Sequence, residues 1–150
     1  MPILTHSRLL LCALWVGSGW SLAGLVLPTV FWTLVDRSQA GDVAGNLLRV
    51  HAWLGFGCGV ALLLLSRVNS RRGDAHWQRS QLLLVCLMLL CTAALYFGLQ
   101  PVLAAWRETA ALRGGMSEAM RVRFALLHGA AALLFLVQNL AGTLLLVKLR

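Results

Sequence analysis

Trp15-Val-Gly-Ser-Gly-Trp-Ser-Leu-Ala-Gly-Leu-Val-Leu-Pro-Thr-Val-Phe31 is the stretch whose reading decides the fold. It sits inside a longer run, residues 9–35, that holds no Asp, Glu, Lys, Arg or His. About 20 apolar residues in a helix cross the hydrocarbon core of a bilayer, so this run predicts a membrane span with length left over for tilt. Gly17, Ser21 and Gly24 fall on one helical face, which predicts close packing of another helix there. Pro28 removes a backbone donor near the end of the run and predicts a kink. Arg8 and the small residues Ser21-Leu-Ala23 give the run some likeness to a cleaved signal peptide. The apolar stretch continues too far for that, and an uncleaved anchor is expected.

The rest of the chain repeats the pattern. Of its 150 residues, 59% are apolar and 12% charged, a balance that excludes an ordinary soluble domain. The net charge of +8 resides between the apolar runs rather than on a stripe with interleaved aromatics, so nucleic acid is not expected as a partner. The four cysteines lie inside apolar runs with no CxxC pair, which argues against disulfides and against a zinc site. Spans are predicted at about 9–35, 47–66, 80–101 and 123–147 within a single domain. The fold class expected is therefore all-α, an integral membrane bundle of four helices with the lipid bilayer as its first partner.

Between the spans, residues 36–46 read as a polar connection. Residues 67–79 read as a basic loop carrying His76 and Trp77. Pro101 is expected to stop or kink the third span, and residues 106–123 to form two short interfacial helices broken at Gly114-Gly115. Ser117 is a plausible N-cap for the fourth span. In the second span Gly55 and Gly59 make a GxxxG pair, whose plain reading is helix packing. Self-association or membership of a larger membrane complex is a further use for such faces.

Four spans put both termini and the basic loop on one side of the membrane. Arg8, Arg67, Arg71, Arg72, Arg79, Lys148 and Arg150 lie there, against Arg37, Arg49, Arg107, Arg113, Arg121 and Arg123 on the other. The bases of the middle loop crowd the helix ends, where the positive-inside rule has force, and place both termini in the cytoplasm. The bacterial inner membrane is the expected location.

This topology brings the unusual polar residues to one leaflet. His51 opens the second span and His128 the fourth, while Pro28, Tyr96 and Gln100 lie at the same level. His51, Gly55, Cys58 and Gly59 share one helical face, and His128, Ala132, Phe135, Asn139 and Gly142 share another. Lipid offers such groups no hydrogen bonds, so a pocket lined by Pro28, Tyr96, Gln100 and Asn139, with His51 and His128 beside it, is predicted between the helices. Two imidazoles are candidate ligands for haem or a copper-type metal; the plainer reading is a hydrogen-bonded pair. Gln138, Asn139 and Thr92 are read as ties between helices. Met116 and Met120 suit a soft metal but more commonly cover apolar surface. No catalytic constellation is present, so a non-enzymatic role is expected.

The order of short motifs resembles the bacterial DUF4149 family, relatives of transmembrane protein 205. The resemblance rests on Trp15-x-Gly17-x-Gly19-Trp20 with Gly24, Pro28 and Phe31, then Ala40-Gly41 and Ala44-Gly45. It continues through Leu47-Leu-Arg-Val-His51, Tyr96 to Pro101 with Arg107, and Arg123-Phe-Ala-Leu-Leu-His128-Gly followed by Gln138. It implies a small four-helix integral membrane protein of unassigned biochemical activity, to which the pocket and glycine faces add an expected binding, transport-accessory or partner-subunit role. More distantly, the architecture is similar to copper resistance protein D and to the four-helix membrane protoporphyrinogen oxidase. That likeness implies the alternative, a haem- or metal-dependent membrane oxidoreductase, although the fuller set of intramembrane His, Arg and Lys expected of such an oxidase is not found.

Overall fold

The computed structural model describes residues 2–71 and 79–149, with side chains over 6–67 and 79–149, and these residues contain helices and no strand. His76, Trp77, Arg72 and the rest of residues 72–78, together with Arg150, lie outside the described residues. The helices are α1 (Pro2–Ser21), α2 (Leu27–Thr33), α3 (Arg37–Arg71), α4 (Arg79–Ala93), α5 (Gln100–Leu112) and α6 (Glu118–Leu149). A π-helical turn, Leu22–Val26, joins α1 to α2, and a second, Ala94–Leu99, joins α4 to α5. Four helices, His6–Thr33, Arg37–Arg67, Arg79–Leu112 and Glu118–Leu149, are thus long and apolar enough to cross a membrane.

Each π turn ends where a proline begins the next helix. Pro28 and Pro101 lack an amide proton, and their rings would strike the carbonyl four residues back in a regular α-helix. Widening the preceding turn relieves that clash: Leu27 N–H reaches back to Leu22 O, and Gln100 N–H to Leu95 O. The predicted kink at Pro28 therefore takes the form of a π turn. Of the two outcomes expected at Pro101, a stop or a kink, the stop does not occur, because the widened turn lets α5 continue to Leu112.

Two other boundaries differ from the sequence reading. Residues 37–46 are helical rather than a connection, because Asp36 caps α3: its Oδ1 accepts the Ser38 N–H at 2.8 Å and its carbonyl accepts Ala40 N–H at 3.0 Å. Gly41 and Gly45 sit inside that helix as packing positions instead of turn residues. The two expected interfacial helices are not separate either. One is the end of the third span and the other the start of α6, and the break between them falls at Gly114 (φ 72°) and Gly115 (φ 145°), a backbone conformation that favours glycine. Ser117 caps α6 as expected, its Oγ accepting the Met120 N–H at 3.4 Å.

Consecutive spans pack side by side, and α1 closes the ring by packing on α6 as well as α3. The core lies toward the chain termini. Cys12, Trp15 and Val16 of α1 meet Cys58 and Leu62 of α3, Val85 and Met88 of α4, and Ala141 and Leu145 of α6. Two glycines permit this approach, since a Cβ at Gly55 would come within 2.6 Å of the Trp15 indole and one at Gly142 within 2.9 Å of Met88 Cε. Large apolar side chains such as Leu10, Leu83, Leu126 and Val147 face outward, the arrangement a hydrocarbon solvent favours. All four cysteines are free thiols.

Candidate functional site

Beyond the core, the four spans surround a cavity of about 720 Å³. Trp20, Ala23, Leu27 and Pro28 contribute from the first span, Leu48, His51 and Ala52 from α3, Leu95, Tyr96 and Gln100 from the third, and Ala131, Phe135 and Asn139 from α6. Both π turns supply lining residues, so the proline-driven widening shapes the walls.

At the inner end the polar groups are held by one another. Ser18 has a single hydroxyl proton and donates it to Trp15 O at 2.9 Å. The same hydroxyl lies 3.2 Å from His51 Nδ1, a hydrogen bond whose direction follows the imidazole tautomer. Among the described residues Nε2 has no partner, although His51 is only 5% exposed and lines the cavity. Phe135 packs edge-on against the imidazole, ring centres 5.5 Å apart. Thr92 Oγ1 lies 3.0 Å from Gln138 Oε1, tying the third span to the fourth as expected of such residues. Asn139 Nδ2 donates to Phe135 O at 2.8 Å, and its amide fills the space a side chain at Gly19 would need. Trp20 Nε1 donates to Thr143 Oγ1 at 3.1 Å and links the first span to the fourth beside it.

The other end is cationic. Arg107 lies over Gly41 and Gly45, where a Cβ at Gly41 would meet the guanidinium at 2.9 Å. Its Nη1 donates to Gly41 O and its Nε to Leu103 O at 3.4 Å. The nearest carboxylate among the described residues, Asp42 Oδ1, is 3.9 Å away on a largely exposed side chain, which screens the charge only weakly. Arg37 and His128 also line this end, and no Asp or Glu among the described residues lines the cavity.

Every residue proposed from sequence for the pocket, Pro28, Tyr96, Gln100 and Asn139, lines this one cavity, as do His51 and His128. The two imidazoles do not meet, however. His51 lies on Phe135 and His128 is stacked on Phe124, ring centres 6.1 Å apart, and those phenylalanines are eleven residues apart along α6. That separation is about 16 Å of helix, whereas two ligands of one ion each lie about 2 Å from it. The donor set does not fit haem or a copper-type ion shared by His51 and His128. Among the described residues no three His, Cys, Asp or Glu cluster to hold a metal.

The glycine faces also divide. Gly55 and Gly59 pack, against Trp15 and Leu89 respectively. Gly17 and Gly24 have nothing within 4 Å of a Cβ position, and Ser21 is exposed, so the expected face of the first span is not where its neighbours lie. Gly19 makes the contact instead. Sequence reasoning missed Ser18, Arg37 and Arg107 as site residues. The Gly41-x-x-x-Gly45 pair held a signal for the last, because two small residues one turn apart make a bed for a large side chain.

Four apolar helices of this length around an internal cavity suggest a multi-pass membrane protein. The chain belongs to the DUF4149 family, a domain of unknown function whose family model matches residues 10–112. The matched stretch holds His51, Pro28, Tyr96, Gln100 and Arg107 and stops before α6. No curated protein and no solved structure matches the chain.

Proposed function

We propose that this is an integral protein of the bacterial inner membrane, with both termini cytoplasmic, that binds a small molecule in the cavity of its outer leaflet. Binding in that place serves a transport-accessory or partner-subunit role rather than catalysis. The observation that carries the reading is the cavity: about 720 Å³, within the ~300–1,000 Å³ of small-molecule sites, mostly apolar with a few polar groups at its two ends.

A ligand that binds only the folded state raises the unfolding midpoint. Polar lipid extract of a bacterial inner membrane, added to detergent-purified protein, is expected to raise it for the wild type and not for Ala132→Trp, which fills the cavity. Equal shifts for both proteins, or none, would overturn the reading. For orientation, Ser70→Cys in a Cys86→Ser background is expected to react with an impermeant thiol reagent only from the cytoplasm; reaction from outside would reverse the topology.

A further inference from the structure

The two ends of the cavity differ in kind, and so do its sides. Near the core α1 packs on both α3 and α6; past the first π turn, α2 keeps its packing on α3 and has no comparable contact with α6. Cavity residues line both edges of this gap, Leu27, Pro28 and Phe31 on one side and His128, Ala132 and Phe135 on the other. The opening therefore lies between the first and fourth spans and faces the lipid. Along α6 the lining runs from Phe124 to Asn139, fifteen residues or about 22 Å, so the space is elongated. Its long middle is apolar, from Leu27, Leu48, Leu95 and Leu136.

Charge marks the outer end. Two arginines line the cavity, with no acidic residue among its described walls. Arg107 uses Nε and Nη1 on carbonyls, while Nη2 lies beside Gly45 with no hydrogen bond of its own among the described residues. Its guanidinium is thus locked in place with donors left over, and Arg37 stands at the start of α3 beside the same space. A partly buried cation whose carboxylate neighbour, Asp42 at 3.9 Å, is largely exposed is stabilised further by an anion that brings its own acceptors.

We infer that the cavity is a membrane-facing site for a single-chain anionic amphiphile, whose carboxylate or phosphate meets Arg107 and Arg37 while its chain lies along α6 toward His51. This rests on the binding reading above and names its ligand class. A neutral lipid of the same length fills the apolar middle but leaves the arginines unmatched.

The test uses the full chain in phosphatidylcholine nanodiscs with three radiolabelled probes of equal chain length: hexadecanoate, hexadecyl phosphate and hexadecanol, at mildly alkaline pH. At least one anion is expected to bind about tenfold or more tighter than the alcohol. Preference for the phosphate points to a phospholipid-type headgroup and preference for the carboxylate to a fatty acid; either supports the inference. Arg37→Gln, on an exposed side chain with no fold to disturb, is expected to lower anion binding several-fold and leave hexadecanol unchanged. Arg37→Gln with Arg107→Gln is expected to bring the anions to the level of the alcohol. Equal binding of all three probes, blocked by Ala132→Trp, overturns the anionic preference and leaves the cavity reading standing. Binding of none, with no stabilisation by lipid extract, overturns both.

Discussion

Toward the chain termini, Trp15, Val16, Leu62, Val85, Met88 and Leu145 interlock with glycine backbones between them; a few turns away the same four helices stand apart around open space. Both regions draw on the same apolar residues and on small ones. What separates them is backbone geometry. The first and third spans each pass through a π turn before a proline as they leave the core, and both turns form part of the cavity wall. In lipid, where burial of apolar surface drives helix association little, close packing has to come from shape, and a widened turn removes it locally.

This contrast can be broken most strongly from the packed side. Gly142→Leu drives a side chain into Val16 and Met88 and is expected to cost about 3 kcal/mol in equilibrium unfolding in mixed micelles. A cost near zero would show that the core is as loose as the cavity. Pro28→Leu restores the missing donor and lets the first span regain α register, so α2 can approach α6. We expect stabilisation by lipid extract to fall several-fold, about 1 kcal/mol, while membrane insertion persists. If stabilisation is unchanged, Pro28 is a packing kink and not a determinant of the cavity.

The border between the two regions is probed by Thr92→Val, which removes the hydroxyl bonded to Gln138. A loss of about 1 kcal/mol is expected, in line with other interhelical hydrogen bonds in membranes. The smallest effect belongs to Gly17→Ala. Nothing lies near its Cβ position, and alanine favours helix, so a gain of up to ~1 kcal/mol is expected. A clear loss in the same unfolding assay would mean that this face is covered by another copy or another protein.

Much of this contrast is legible in the amino-acid sequence. The spans follow from uninterrupted apolar length, and the four-span topology alone sends His51, His128, Pro28, Tyr96 and Gln100 to one level. Gln138 and Thr92 read as ties because amides and hydroxyls in lipid need partners. The packing face of the first span is not legible in the same way. Gly17, Ser21 and Gly24 look like a helix seam, and only the Asn139 side chain of α6 against Gly19 shows that Gly19 is the glycine used. Arg107 reads as a topology signal because its counterparts, Gly41 and Gly45, are 66 and 62 residues away and look like turn formers.

The sequence by itself determined the number of spans, their order and the level at which each polar side chain sits, because those depend on apolar run length and a fixed rise per residue. The tertiary structure decided rotation and approach: that His51 turns to Ser18 and Phe135 while His128 turns to Phe124, and that Arg107 comes to rest in the cavity wall. The physical reason is that helix rotation is set by side chains meeting across different spans. Each span taken alone offers several nearly equivalent faces, and only the packed neighbours choose among them.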